Sequence, residues 1–402
     1  MGQYVAFRPL HTQVIVITGA SSGIGLATAR MAARKGAKLV LAARNQDALS
    51  EVAAELSATG SEVLVVDTDV KLRGDVARLG EAAMSRFGRI DTWVNNAGVG
   101  MFGSLRDTDI DDHREIFEVL YWGTVHGSLE AVEHLRHQGG ALINVGSVLS
   151  DVPVPLQGPY VAAKHAVQGF TNTLRLELAH DKAPISVTLI KPSAIATPFS
   201  DHAATLSESE PVVPPPRYAP EVVADAILFC ATHAKRDLYV GGVAPGLAVL
   251  HSLAPDLYDL VAAKMGYQAQ FSDRELDPSD PMRGNLFSPR EDGLVTSPSL
   301  QGEALPFSLY TEVAKRPQLY LGAAAAVAAT VALIAAGRGR NGSEDGGQEK
   351  RNGSWHGEAL RFRRVHDHEH DDTHKRKARS RRRETDWSGW VSTLADLARA
   401  RV

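Results

Sequence analysis

The sequence predicts a doubly wound α/β fold, a parallel β-sheet with helices on both faces. Two observations predict it. Short strand-like runs alternate with longer helical stretches over the first 250 residues, the order that strands joined by crossover helices require. The first run ends on a glycine-rich turn, Thr18–Gly25, that opens straight into a helical stretch. No 20–50-residue repeat breaks the alternation.

Val14–Thr18 reads as the first strand because all five residues are β-branched. Ile24–Lys35 follows as a helix with Gly36 as its stop. Lys38–Ala42 is a second strand and Asp47–Ala58 a second helix. Glu62–Val66 is the third strand, and the next helix runs through Phe87. Thr92–Val94 begins a buried strand, and 109–137 reads as one long helical stretch. Then come strand Ala141–Val145, helix Pro159–His180 and strand Ile185–Ile190. Glu221–His233 is the last clear helix, before a final strand at Leu238–Val240. Residues 272–308 are rich in Ser, Pro, Asp and Gly and read as an extended linker.

Apolar residues make up 44% of the 402 positions and charged residues 22%, enough for a full-sized core. One cysteine, Cys230, excludes an intramolecular disulfide framework and a cysteine-pair zinc site. The first residues carry no long apolar run, so a cleaved secretory signal is not expected. Gly2 lacks the Ser or Thr that myristoylation wants, since Ala6 stands there.

The net charge of −4 hides an asymmetry: residues 338–402 hold 16 basic and 11 acidic side chains, so the body is acidic and the tail basic. Between them Leu319–Ala336 is 18 residues without a charge. As a helix it would span about 27 Å, slightly short of a hydrocarbon core. Membrane attachment through this stretch is the expectation, by spanning or by lying in the interface, with an Ala-rich packed helix as the alternative. The His/Asp-rich run at 366–374 reads as a mixed-charge disordered tail rather than a metal site. The basic run Lys375–Arg383 could bind anionic lipid or nucleic acid only non-specifically. The expected division is therefore an α/β domain at 12–250, an extension and linker at 251–316, an apolar helix at 317–337 and a disordered basic tail at 338–402. Homo-oligomerisation is left open.

In the turn, Gly19, Gly23 and Gly25 permit a tight bend and close backbone approach, with Ser21, Ser22 and Ile24 leading into the helix. The helix N-terminus offers free amides and a positive dipole end to a pyrophosphate. At the end of the second strand an NAD site places a carboxylate on the ribose 2′-OH. Here the residues are Ala42, Ala43, Arg44 and Asn45. Arg44 suits a 2′-phosphate, which favours NADP.

Tyr160 and Lys164 are four apart on one helix face, and Ser147 follows the strand before them. A nearby ammonium and a positive nicotinamide would bring down the pKa of a tyrosine phenol, and a serine hydroxyl would polarise a carbonyl.

Together these motifs resemble the short-chain dehydrogenase/reductase family, over about residues 12–250. Thr18–Gly25 matches its cofactor loop, Asn95–Gly98 its structural signature, and Ser147, Tyr160 and Lys164 its catalytic set. Asp69 and Val70 match the pair that contacts adenine. Lys191–Thr197 resembles the segment beside the nicotinamide, with Ser193 where glycine is usual. The resemblance implies a Rossmann fold, NADP(H) held by the turn, Arg44, Asp69, Val70, Asn96, Tyr160, Lys164 and Thr197, and hydride transfer between nicotinamide and a CH–OH/C=O substrate in the cytoplasm. It also places a substrate lid at Pro198–Arg217 and pocket residues at Val148, Leu149, Val154 and Leu156, which suggest an apolar substrate. Leu120 departs from the pattern, standing where the family has an asparagine that helps hold a water for proton relay. A catalytically weak or inactive nucleotide-binding scaffold is therefore the alternative reading.

Overall fold

Seven apolar runs hydrogen-bond into a single sheet because each has both faces to bury. The computed structural model describes residues 5–276, 284–290, 293–299, 302–318 and 320. The strands of this sheet are β1 (Val14–Thr18), β2 (Lys38–Ala43), β3 (Val63–Asp67), β4 (Thr92–Asn95), β5 (Gly140–Val145), β6 (Ile185–Pro192) and β7 (Asp237–Val240). They lie in the order β3-β2-β1-β4-β5-β6-β7, and every pairing is parallel. The chain turns back on its order between β1 and β4. In such sheets a ligand crevice opens outside the strand C-termini at that point.

The helices longer than one turn are α1 (Gly23–Arg34), α2 (Gln46–Ala58), α3 (Arg73–Phe87), α4 (Ile110–Phe117), α5 (Gly123–Gln138), α6 (Gly158–His180), α7 (Pro220–Cys230), α8 (Val243–Leu253), α9 (Pro255–Met265) and α10 (Leu309–Lys315). Successive side chains of a strand point to opposite faces. Ile15, Ile17, Leu39 and Leu41 therefore pack with Leu26 of α1 and Val223 and Ile227 of α7. Val14, Val16 and Val40 pack on the other side with Leu79 of α3, Ala131 of α5 and Leu174 of α6. All of these are buried.

Three expectations need correction. The stretch 109–137 is not one regular helix, because a π-helical turn, Glu118–Trp122, separates α4 from α5. The Gly123 amide bonds back five residues to the Glu118 carbonyl. Glycine is required there, since a Cβ would lie 2.7 Å from Val70 Cγ2. Glu221–His233 is not the last helix either. α8 runs through residue 250, because Pro245 sits in its first turn, where no amide is missed.

Lastly, the described parts of 272–308 are bonded back onto the domain at several points rather than free of it. Phe271–Glu275 pairs antiparallel with Ser209–Pro211, and Leu286 is fully buried. One apolar side chain finding the core outweighed a polar local composition. The apolar stretch Leu319–Ala336, Tyr320 apart, and the tail 338–402 lie outside the described residues. Among the described residues no helix is long and apolar enough to cross a membrane.

Candidate active site

The glycine turn is a cradle that side chains would fill. Gly19 has φ +65°, and a Cβ there would lie 2.7 Å from Ala97 Cα. A Cβ on Gly25 would stand 2.0 Å from the Gly19 carbonyl oxygen. The turn is clamped to the end of β4. Asn96 donates from Nδ2 to the Thr18 and Gly19 carbonyls at 3.0 and 3.1 Å. The Thr18 hydroxyl oxygen accepts the Asn96 and Ala97 amides at 3.0 and 3.1 Å. Ser21 and Ser22 then lead into Gly23 and Ile24, the first residues of α1. Across the crevice a Cβ on Gly23 would meet Thr197 Cβ at 3.3 Å.

The other expected cofactor residues line the same edge. Asp69 follows β3, and its carboxylate accepts the Lys71 amide at 3.1 Å. The Val70 side chain packs where Gly123 leaves room. Arg44 follows β2, but its guanidinium is engaged by the carbonyls of Asn285, Leu286 and Phe287. The cradle and the N-terminal end of α1 beside it fit the pyrophosphate of a dinucleotide.

Ser147 follows β5 as the N-cap of a short 3-10 turn, Val148–Ser150. Its oxygen accepts the Leu149 amide at 3.1 Å, which leaves its proton to be donated elsewhere. The Tyr160 hydroxyl is hydrogen-bonded to Ser147. Lys164 lies one turn further along α6, only 6% exposed. Its Nζ sits 5.6 Å from the Tyr160 ring centre and donates to the Val145 carbonyl at 2.8 Å. The structure thus brings together the three residues that the sequence singled out.

Their proton affinities are set mainly by burial. Burial pushes the Tyr160 phenol up to about 12, and the Ser147 hydrogen bond works against the rise. Burial pulls the Lys164 ammonium down to about 8. With the chain's own groups alone, desolvation therefore outweighs the help the ammonium was expected to give the phenolate.

Leu120 sits inside the π-helical turn and is 1% exposed. It packs against Gly98, where a Cβ would lie 3.3 Å from Leu120 Cδ2. Its carbonyl accepts the Thr124 hydroxyl at 2.7 Å. The side chain fills core space beside the Asn95–Gly98 segment, so Leu120→Asn should bury an amide in an apolar setting. The expected cost is about 1–3 kcal/mol with no gain in turnover. Thermal melts and initial rates of the two proteins check this. A clear rate gain would show that side-chain relay limits the native enzyme.

Several residues at the site escaped sequence reasoning. The Phe199 ring meets Tyr160 edge-on, centres 5.3 Å apart, because it follows the Thr197 segment. Asp151 accepts from Lys191 Nζ at 2.9 Å and the Tyr239 hydroxyl at 2.8 Å. That bridge ties the turn after Ser147 to the ends of β6 and β7. Residues 285–290 and Leu294, read as linker, reach Arg44, Asn45 and Gly23. Val148, expected in the pocket, is buried and packs with Val152, Ala244 and Tyr258. Helices α8 and α9 had not been anticipated, so nothing in the sequence pointed to that packing.

Comparison with known proteins places these features in context. The sequence profile described as short chain dehydrogenase matches residues 13–206. The "Uncharacterized oxidoreductase YxnA" of Bacillus subtilis (strain 168) is 45% identical over 336 residues, covering 83% of this chain and 93% of that one. An alcohol dehydrogenase from the archaeon Thermococcus sibiricus, complexed with 5-hydroxy-NADP, is similar in structure with a TM-score of 0.50 and 29% identity. The match covers 56% of this chain and 95% of that one. A short-chain dehydrogenase/reductase from Burkholderia phymatum in complex with NAD has a TM-score of 0.57 at 26% identity, over 69% of this chain and all of that one.

Proposed function

Since the chain belongs to the short-chain dehydrogenase/reductase family and is an oxidoreductase on a dinucleotide-binding sheet, we propose that it is NADP-dependent and interconverts an apolar alcohol and its carbonyl. The observation that carries this reading is the Ser147–Tyr160–Lys164 group at the crevice. The catalytic unit is the segment 12–250, with the described part of the extension folded onto it.

A bound nicotinamide supplies or takes up the hydride. The glycine turn, Arg44, Asp69, Val70, Asn96 and Thr197 hold the dinucleotide, with Tyr160 and Lys164 at its reactive end. Ser147 donates its hydroxyl proton to the substrate oxygen, because the Leu149 amide already occupies one side of Oγ. Tyr160 holds the exchangeable proton at Oη and passes it to that oxygen during reduction. Lys164 steadies the resulting phenolate with its charge. Phe199 closes an apolar wall over the phenol, which supports an apolar substrate.

A panel of apolar ketones and secondary alcohols with NADPH and NADP, followed at the nicotinamide absorbance, tests the reading. No turnover across such a panel would count against it. Cofactor choice has its own test. An Arg–phosphate contact is a charge-assisted pair worth about 1.5–3 kcal/mol. Arg44→Ala should therefore weaken NADPH binding by roughly 10–100-fold and leave NADH binding within about threefold. Fluorescence titration with both cofactors reads the difference, and equal losses would reject the NADP assignment.

A further inference from the structure

Residues 284–290 and 293–299 cross the mouth of the crevice from wall to wall. On the side below β6 they are anchored by several bonds. The Asn285 amide donates to the His202 carbonyl at 2.7 Å and the Ser297 amide to the Ala196 carbonyl at 3.4 Å. Arg290 donates to the Asp201 carbonyl at 2.9 Å, and the Ser299 hydroxyl donates to the Asp201 carboxylate. Leu286 is pinned in the core.

On the opposite wall this strap presents backbone carbonyl oxygens. Arg44 donates through Nη2 to Asn285 O at 2.7 Å, and through Nη1 to Leu286 O and Phe287 O at 3.5 and 3.4 Å. Asn45 Nδ2 donates to Arg290 O at 2.7 Å. The Gly23 amide, the first of α1, donates to Leu294 O at 2.8 Å.

These are the donors that the phosphates of a dinucleotide need. A guanidinium beside β2 and the first amide of the glycine-turn helix serve anions, yet here each faces a neutral carbonyl oxygen. A phosphate oxygen carries more charge than a carbonyl and binds such donors more strongly. The carbonyls can therefore be displaced, but each displaced bond subtracts from the cofactor's affinity.

We infer that the strap is a specificity element of the cofactor site, whose backbone carbonyls compete with a 2′-phosphate for Arg44 and with the pyrophosphate for Gly23. The Arg44 half rests on the NADP reading above. The Gly23 half does not, because every dinucleotide has a pyrophosphate. The strap thereby sets how fast a dinucleotide enters and by what margin NADP is preferred. Its anchors lie on the far wall, so it can lift from Arg44 and Gly23 while staying attached at His202, Asp201 and Ala196.

Leu286→Ala withdraws the apolar pin. Gly284→Ala acts without touching the core: its φ is +50°, and a Cβ would lie 2.2 Å from the His202 carbonyl oxygen, so the strap must shift at its first residue. In either folded variant the dissociation constant for NADPH should fall by about threefold to tenfold, the worth of one or two neutral hydrogen bonds. The constant for NADH should fall less, and both association rates should rise. In the native protein, NADPH should speed hydrogen exchange in peptides covering 284–290 and 293–299. Weaker or unchanged NADPH binding in both variants, or protection of those peptides by NADPH, would overturn the proposal and make the strap a plain wall. Equal gains for NADPH and NADH would place the failure in the NADP reading, since NADH lacks only the 2′-phosphate, and would still support competition at Gly23.

Discussion

Tyr160→Phe is expected to lower kcat by two to four orders of magnitude while NADPH binding changes by no more than about twofold. The substitution removes only the hydroxyl. The ring keeps its edge-on contact with Phe199 and its place above Lys164, so shape and packing persist. What is lost is the proton at Oη and the hydrogen bond with Ser147. Ser147 retains the Leu149 amide on its oxygen, so it can still orient a carbonyl, but no group is left to deliver the proton. Single-turnover oxidation of NADPH with saturating ketone measures the step directly. Native-like turnover would remove Tyr160 from the chemistry. The same pair of proteins tests the electrostatics. Their difference absorbance at the tyrosinate band should titrate only near pH 12, and oxidised NADP should move it to lower pH through the positive charge of its nicotinamide ring.

How much of this could be read from the residues depends on how far apart the interacting groups lie in the chain. The strands were legible because a short apolar run between helical stretches declares itself within a few residues, and their observed ends differ from the reading by only one or two positions. The glycine turn was legible for the same reason, its strand, bend and helix being contiguous. Ser147, Tyr160 and Lys164 lie within one strand–turn–helix unit, and the resemblance fixed their roles. The Arg44 contact with Asn285 spans 241 positions, and no periodicity reports such a pairing. The segment around Leu286 is polar and rich in turn-formers, so composition pointed to a linker while one buried leucine decided otherwise.

The π-helical turn was hidden for a different reason. Its residues, Glu118–Trp122, have ordinary helical propensity. The extra residue per turn is fixed by tertiary fit, through the space that Gly123 leaves for Val70 and the packing of Leu120 on Gly98. Leu120 looked like a missing catalytic group because only the side chain is written in the sequence. Its buried packing and its carbonyl's bond to Thr124 become visible only in the fold. Local helix distortions of this kind are frequent at functional sites.

Lys164→Met should cut kcat/KM for NADPH by about 100-fold or more at pH 7, within the range for groups assisting proton transfer, and should also change the shape of the pH profile. kcat/KM reports groups in the free enzyme. There the Lys164 ammonium loses its proton near pH 8, while the Tyr160 phenol, near 12, titrates well above the limb that Lys164 produces. In the reduction direction the native profile should therefore fall about tenfold per pH unit above pH 8, and the Met variant should lack that limb. Stability should move the opposite way. The folded-state pKa of Lys164 lies below its ordinary 10.5 because burial disfavours the charge, so below pH 8 the folded protein carries the full penalty. The shift corresponds to about 3 kcal/mol. Between pH 8 and 10.5 the unfolded chain binds more protons than the folded one, so native stability rises with pH and the penalty vanishes near 10.5. Methionine avoids the penalty but leaves the Val145 carbonyl without the Lys164 donor, at about 1–3 kcal/mol. The variant should thus be at least as stable as the native protein at pH 7, with any advantage shrinking from pH 8 to 10.5. Denaturant melts across that range, paired with the kinetic profile, separate a charge kept for catalysis from one kept for folding. A variant that is both unstable at pH 7 and unchanged in the shape of its pH profile would assign Lys164 a structural role alone.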